Sequence, residues 1–140
     1  MTANNAINLN ANLTVNGTNP LTLGGVIGGV GGLIKNGASS LNLTGANTYS
    51  GPTALNSGSL IVGANTALGS GALNATAGTT LDASAASALG NDINLGGTLT
   101  LGGSNALTLN GVVSGVGGLI KNGAADLVLN HANTYLALPR

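Results

Sequence analysis

An eight-residue segment occurs twice in this chain without a change, and the two copies begin 86 residues apart. The segment reads Gly-Gly-Leu-Ile-Lys-Asn-Gly-Ala and occupies residues 31–38 and 117–124. The match continues on both sides, and about thirty of the 46 positions from 5 to 50 are identical to those from 91 to 136. Self-similarity at a fixed period indicates an architecture of repeated units that contact their neighbours. We therefore interpret residues 1–140 as one domain with an internal 86-residue repeat.

Apolar residues within the repeat alternate with other residues in short runs. The triplets Leu21-Thr22-Leu23, Leu99-Thr100-Leu101 and Leu107-Thr108-Leu109 place both leucines on one side of a strand, because side chains alternate along a strand. Gly-Gly, Asn-Gly and Gly-Ser pairs follow these runs and mark bends. No stretch has the apolar spacing of a long amphipathic helix. The pattern predicts many short strands joined by tight turns.

The core of this fold must be thin, because the chain has two Tyr, no Phe and no Trp. An antiparallel sandwich needs bulky side chains to fill about 10 Å between its sheets. A parallel β-helix needs only aliphatic side chains, which stack in ladders from one coil to the next. Coils of about twenty residues would give about four coils per repeat. The expected fold class is therefore all-β, a parallel β-helix (β-solenoid) of about six to seven coils.

Charged residues are scarce: the whole chain contains two Lys, one Arg, three Asp and no Glu. So few cations cannot neutralise phosphates, and nucleic-acid binding is not expected. Gly or a polar residue interrupts every apolar stretch before it reaches the length of a membrane-spanning helix, so we expect no transmembrane segment. The N-terminus lacks the basic and apolar regions of a signal peptide, and an export signal would lie outside this chain.

Three consecutive segments carry a family resemblance: residues 31–38, the run Leu41-Asn42-Leu43-Thr44-Gly45-Ala46-Asn47-Thr48-Tyr49-Ser50-Gly51-Pro52-Thr53, and residues 55–60. Together they resemble the autotransporter-associated β-strand repeat, found in passenger regions of bacterial type V secreted proteins. The resemblance is partial at residues 117–135, where Asp126 and His131 replace the Ser and Gly of the first copy. It implies a right-handed β-helix, extracellular or on a bacterial cell surface, without catalytic residues.

The function expected from these observations is that of a non-catalytic structural or adhesive rod with a host-surface or carbohydrate ligand. Neither end of the solenoid carries an evident cap, so we also expect self-association through the ends, as in a filament subunit. Two alternatives stay open. One is a β-helix module that binds or cleaves carbohydrate, and the other is a designed consensus solenoid without a natural function.

Four residues are candidate surface or interaction positions: Lys35, Lys121, Tyr49 and Tyr135. The repeat relates the two lysines to each other, and it relates the two tyrosines in the same way. A regular solenoid should then place Lys35 and Lys121 on the same face, about four coils apart. The lysines would form a basic stripe or serve solubility, and the tyrosines would form an adhesive edge or pack against the turn.

No catalytic, metal or cofactor site is expected. Cleavage of polysaccharides needs paired carboxylates or a metal held by acids. Asp82 and Asp92 are ten residues apart, about half a coil, so we expect that they do not face each other. Asp126 and His131 lie five residues apart, and we interpret them as part of a solvated turn.

Overall fold

A computed structural model of the chain describes residues 1–131 and 133–135. These residues form nineteen short β-strands and no helix, which confirms the all-β prediction. Neighbouring strands are parallel, and the residues that pair, such as Leu21 with Leu41, lie about one coil apart in the chain.

The strands are β1 (Thr2–Ala3), β2 (Ile7–Leu9), β3 (Leu13–Val15), β4 (Leu21–Leu23), β5 (Ile27–Gly29), β6 (Leu33–Lys35), β7 (Ser40–Leu43), β8 (Thr53–Leu55), β9 (Ser59–Val62), β10 (Leu73–Ala75), β11 (Thr79–Ala83), β12 (Ser87–Leu89), β13 (Ile93–Leu95), β14 (Leu99–Leu101), β15 (Leu107–Leu109), β16 (Val113–Gly115), β17 (Leu119–Lys121), β18 (Leu127–Leu129) and β19 (Thr134–Tyr135).

The strands stack into three faces around a thin core. Face 1 contains seven strands in the order β1-β4-β7-β9-β11-β14-β17. Face 2 also contains seven, in the order β3-β6-β8-β10-β13-β16-β19. Face 3 is divided into the pair β2-β5 and the triplet β12-β15-β18. Strands of all three faces alternate along the chain, so the fold is a parallel β-solenoid of about seven coils, as predicted.

Stacked aliphatic side chains hold the coils together. The first and third residues of most strands point inward and the middle residue points outward, as the alternating pattern predicts. On face 1 the paired backbones bring one leucine from each of five successive coils into a ladder, formed by Leu21, Leu41, Leu60, Leu81 and Leu101. Rungs of such a ladder lie about 4.8 Å apart, which is van der Waals contact for branched aliphatic side chains.

Glycine is required at the corner that follows each Leu-Ile-Lys strand, β6 and β17. Gly37 has a φ of +79°, in the left-handed region, and a Cβ atom on it would lie 2.5 Å from the carbonyl oxygen of Gly17 in the preceding coil. Gly123, the same position in the second copy of the repeat, has a φ of +71°. Any other residue at the glycine position of this Asn-Gly corner would have a strained backbone, and its Cβ atom would clash with the preceding coil.

The 86-residue repeat does not return the chain to the same face. Four coils take up about eighty residues, and the remaining six carry the chain on by about a third of a coil. Thus β6 on face 2 and β17 on face 1 have the same sequence, Leu-Ile-Lys. The expectation that Lys35 and Lys121 share a face is wrong for this reason.

The substitution Leu33→Ala tests how much one rung contributes. Leu33 is completely buried in β6, so we expect a loss of about 2–5 kcal/mol in the free energy of unfolding, because the aliphatic ladder cannot close around the gap. Val30→Ala is the matched control, since Val30 is 74% exposed and its truncation should cost about 0.5 kcal/mol or less. Urea unfolding followed by circular dichroism measures both. Equal losses would contradict the assigned core.

Candidate functional site

Lys35 lies at an inward-facing position of β6 and is only 1% exposed. Its ammonium nitrogen Nζ donates hydrogen bonds to the carbonyl oxygens of Asn36 at 2.8 Å, Gly37 at 2.9 Å and Ser57 at 3.3 Å. Burial lowers its pKa from the ordinary value of a lysine. Ser57 belongs to the next coil, so this side chain ties two coils together. The prediction of Lys35 as a surface position is wrong, because the side chain turns inward and caps the corner carbonyls.

Lys121 shows which part of this arrangement is local. Its Nζ donates to the carbonyl oxygens of Asn122 at 2.7 Å and Gly123 at 2.9 Å, the same two bonds within the corner that Lys35 makes. Lys121 is half-buried, on face 1, and its bonds are open to solvent. The tripeptide Lys-Asn-Gly therefore forms the same capped corner on two different faces, and Lys121 remains a proposed surface position.

Tyr49 is completely buried, so it does not form an exposed aromatic edge. Its hydroxyl shares a hydrogen bond of 2.6 Å with the hydroxyl of Thr53, at the start of β8. Burial raises the pKa of Tyr49 to about 12, although the bond to Thr53 acts in the opposite direction. Tyr135, in β19 on face 2, is half-buried and packs against the core, and its surface role stays a proposal.

The carboxylates of Asp82 and Asp92 both accept hydrogen bonds from the next coil. Asp82, in β11, accepts bonds from the backbone N–H and the hydroxyl of Ser104. Burial alone would raise the pKa of Asp82, but these bonds and one from Ala83 hold it below its ordinary value. Asp92 accepts from the backbone N–H of Val112 at 2.9 Å. Asp82 lies in β11 on face 1, whereas Asp92 directly precedes β13 on face 2, so they are not paired in one strand or on one face.

The third aspartate, Asp126, is exposed to solvent. Asp126 and His131 are both exposed, but β18 (Leu127–Leu129) lies between them, so they flank a strand and do not share one turn. Among the residues that the structure describes, no group of three or more His, Asp or Glu side chains is arranged to hold a metal ion. The described part of the chain also contains no helix of the length and apolar character needed to cross a membrane.

Face 3 is interrupted between β5 and β12, where asparagine side chains join the coils together with scattered backbone hydrogen bonds. Asn47 is buried, accepts a bond from the backbone N–H of Ile27 at 2.9 Å, and donates to the carbonyl oxygen of Ala67 at 2.7 Å. It thereby joins β5 to a turn at residues 64–68. The second copy of the repeat contains the same bond, from Val113 to Asn133 at 2.8 Å.

Two more asparagines join this turn to the following coil. The Oδ1 atom of Asn65 accepts from the backbone N–H of Ala88 in β12 at 2.9 Å. The Nδ2 atom of Asn91, a buried residue, donates to three carbonyl oxygens. Those acceptors belong to Leu68, Gly69 and Gly71, at 3.3, 3.1 and 2.7 Å.

Grooves open on both sides of Asn65. One has a volume of about 290 Å³ and is lined by Asn65, Thr66, Gly69, Ser70, Gly90 and Asn91. The other has a volume of about 240 Å³ and is lined by Asn65, Ala86, Ser87, Ala88, Ala106 and Thr108. Sequence reasoning missed this site. The sequence offers no clear signal for it, because the face 3 strands β5 (Ile27–Gly29) and β12 (Ser87–Leu89) also lack a Leu-X-Leu triplet.

Comparison with known proteins agrees with the resemblance seen in the sequence. Residues 33–62 and 119–136 match the passenger-associated-transport repeat. The BmaC adhesin, an autotransporter of Brucella suis biovar 1 (strain 1330), is 38% identical over 118 residues, which cover 74% of this chain. The chain spans about 4% of the length of that protein. No solved structure matches the chain. The chain thus carries passenger repeats of the autotransporter type.

Replacement of Lys35 by Met tests the capped corner. Lys35→Met keeps an aliphatic stem but removes three hydrogen bonds from partly buried carbonyls, so we expect a loss of about 1–3 kcal/mol in the free energy of unfolding. Lys121→Met is the control and should cost about 0.5 kcal/mol or less, because water replaces the ammonium group there. Urea unfolding measures both variants. A larger loss for Lys121→Met would contradict the assignment.

The buried phenol of Tyr49 predicts a loss of stability at high pH. In the unfolded chain the phenol ionises near its ordinary pKa of about 10. In the folded protein it keeps its proton up to about pH 12. The unfolded state therefore binds fewer protons between these values, and stability should fall as the pH rises through this window. Urea midpoints at intervals above pH 9 measure the decline, which Tyr49→Phe should make less steep. The same slope in both proteins would contradict the assigned burial.

Proposed function

We propose that this chain is a segment of a non-catalytic, extracellular β-helical rod that serves adhesion at a bacterial surface. The observation that carries this proposal is the passenger repeat at residues 33–62, which forms part of a continuous solenoid. The adhesin that matches 74% of the chain supports an adhesive role for the longer rod. A solenoid suits this role, because its length grows by about 4.8 Å with each added coil while its cross-section stays the same.

The use of the ionisable groups supports a role without catalysis. Asp82 and Asp92 accept hydrogen bonds from the next coil, and Lys35 donates to the next coil. Groups held in this way stabilise stacking and are not arranged as the facing acid pair that glycoside cleavage requires. A surface of Asn, Thr, Ser and Gly with little charge would also meet an anionic host surface without strong repulsion.

Self-association through coil edges is a second part of the proposal. The first strand of each face, β1, β2 and β3, pairs on one side only, and a further coil would fit against these edges. In a longer protein, neighbouring coils of the same chain would occupy this place. Sedimentation of the chain across a wide concentration range separates stacking from an isolated monomer.

Attachment of coated microspheres to cultured mammalian cells tests the adhesive function. Spheres that carry the folded chain should bind, and excess soluble chain should displace them. The control is Gly37→Val, whose side chain would collide with the carbonyl oxygen of Gly17 and disrupt the corner while leaving the rest of the surface composition unchanged. Circular dichroism verifies the loss of fold in that variant. Equal attachment of both kinds of sphere would refute adhesion by the folded rod.

A further inference from the structure

The two grooves beside Asn65 lie next to the interruption of face 3. Faces 1 and 2 each consist of seven strands paired one after another without a break, whereas face 3 has a turn at residues 64–68 and resumes at β12. We propose that these grooves bind a neutral glycan, with Asn65 as the shared contact. This inference rests on the adhesive function proposed above and names the class of ligand.

The linings of the grooves determine the ligand chemistry. None of their residues is charged, so neither groove can form an ion pair with a sulfate, a carboxylate or an ammonium group. None is a Leu, Ile, Val or aromatic residue, so a large apolar ligand would gain little from burial there. The exposed side chains of Asn65, Thr66 and Ser70 offer amide and hydroxyl groups. These donors and acceptors match a ligand whose hydroxyl groups both donate and accept hydrogen bonds.

Asn65 is held in place before any ligand arrives. The bond from the N–H of Ala88 fixes its Oδ1 atom, and the two N–H groups of its amide remain as donors. Because Asn65 lines both grooves, a ligand that runs from one to the other meets the same amide. A side chain that is already ordered loses little conformational entropy on binding.

Asn91 gives the larger groove a rigid wall. Its Nδ2 donates to the carbonyl oxygens of Leu68, Gly69 and Gly71, which ties the end of the turn at residues 64–68 to the next coil. Asn91 is itself almost completely buried and lines the groove, so this wall has little freedom to move. Each groove has a volume near the lower limit of small-molecule sites, about 300 Å³, so the pair suits a short stretch of oligosaccharide.

Titration of the isotope-labelled chain followed by nuclear magnetic resonance tests the proposal. The neutral probes are lactose, maltotriose, mannotriose and chitotriose, and sialyllactose is the charged counterpart of lactose. We expect at least one neutral probe, at millimolar concentration, to shift the signals of the Ala88 N–H and the Asn65 amide, and sialyllactose to bind no more tightly than lactose. The absence of such shifts with all four neutral probes, or tighter binding of sialyllactose, would overturn the proposal.

The variant Asn65→Asp gives a sharper comparison. A carboxylate keeps an acceptor for the N–H of Ala88 but removes both amide donors, so the Kd for the neutral probe should rise by about tenfold or more. Asn74→Asp introduces the same charge at an exposed residue in β10 on face 2 and should leave the Kd unchanged. An unchanged Kd in Asn65→Asp, or an equal rise in both variants, would overturn the assignment.

The microsphere assay separates this inference from the adhesive function. If Asn65→Asp spheres attach to cells as well as the parent chain does, and no neutral probe binds, the rod is adhesive and the groove inference is wrong. If a neutral probe binds at Asn65 but the parent spheres do not attach, the groove inference holds and the proposed adhesion of this segment is wrong.

Discussion

Parallel hydrogen bonding between backbones one coil apart is the constraint on which the rest of this structure depends. Because each strand pairs with the strand about twenty residues away, a side chain always lies beside its counterpart in the next coil. Inward positions must therefore hold residues that pack against their own kind, and leucine meets this need. Corners must allow two backbones to approach closely, and glycine meets that need at Gly37 and Gly123.

The same constraint explains why certain polar side chains form hydrogen bonds between coils. Lys35, Asp82 and Asn65 each bond to the backbone of the adjacent coil, at points where the strand pairing turns a corner or stops. A buried carbonyl or N–H without a partner would cost about 1–3 kcal/mol, so these side chains maintain cohesion where the sheets cannot. As a consequence, three of the few charged side chains, Lys35, Asp82 and Asp92, form hydrogen bonds between coils, and the remaining surface carries little charge.

Predictions from the sequence succeeded where they depended on local pattern. Alternating leucines indicated the short strands, and the lack of large aromatics indicated a thin core of aliphatic side chains. The prediction that two repeated segments share a face failed, because it depended on the position of each segment around the coil. The repeat of 86 residues is about four and a third coils, so Lys35 and Lys121 lie on different faces. The surface prediction for Lys35 failed for a different reason, because it overlooked the local alternation: Lys35 lies two residues after Leu33 in the same strand and therefore points inward.

The sequence by itself determined the strand pattern and the Asn-Gly bends, because these depend on residues within one short segment. The repeat and the lack of large aromatic residues determined the class of fold. The tertiary structure alone decided which face each segment occupies and where face 3 is interrupted. It also brought Asn65 to Ala88 and Asn91 to Leu68, pairs that are 23 residues apart in the chain. Those contacts depend on the exact length of the intervening coils, and a difference of one residue in a coil is enough to move a side chain from the core to the surface.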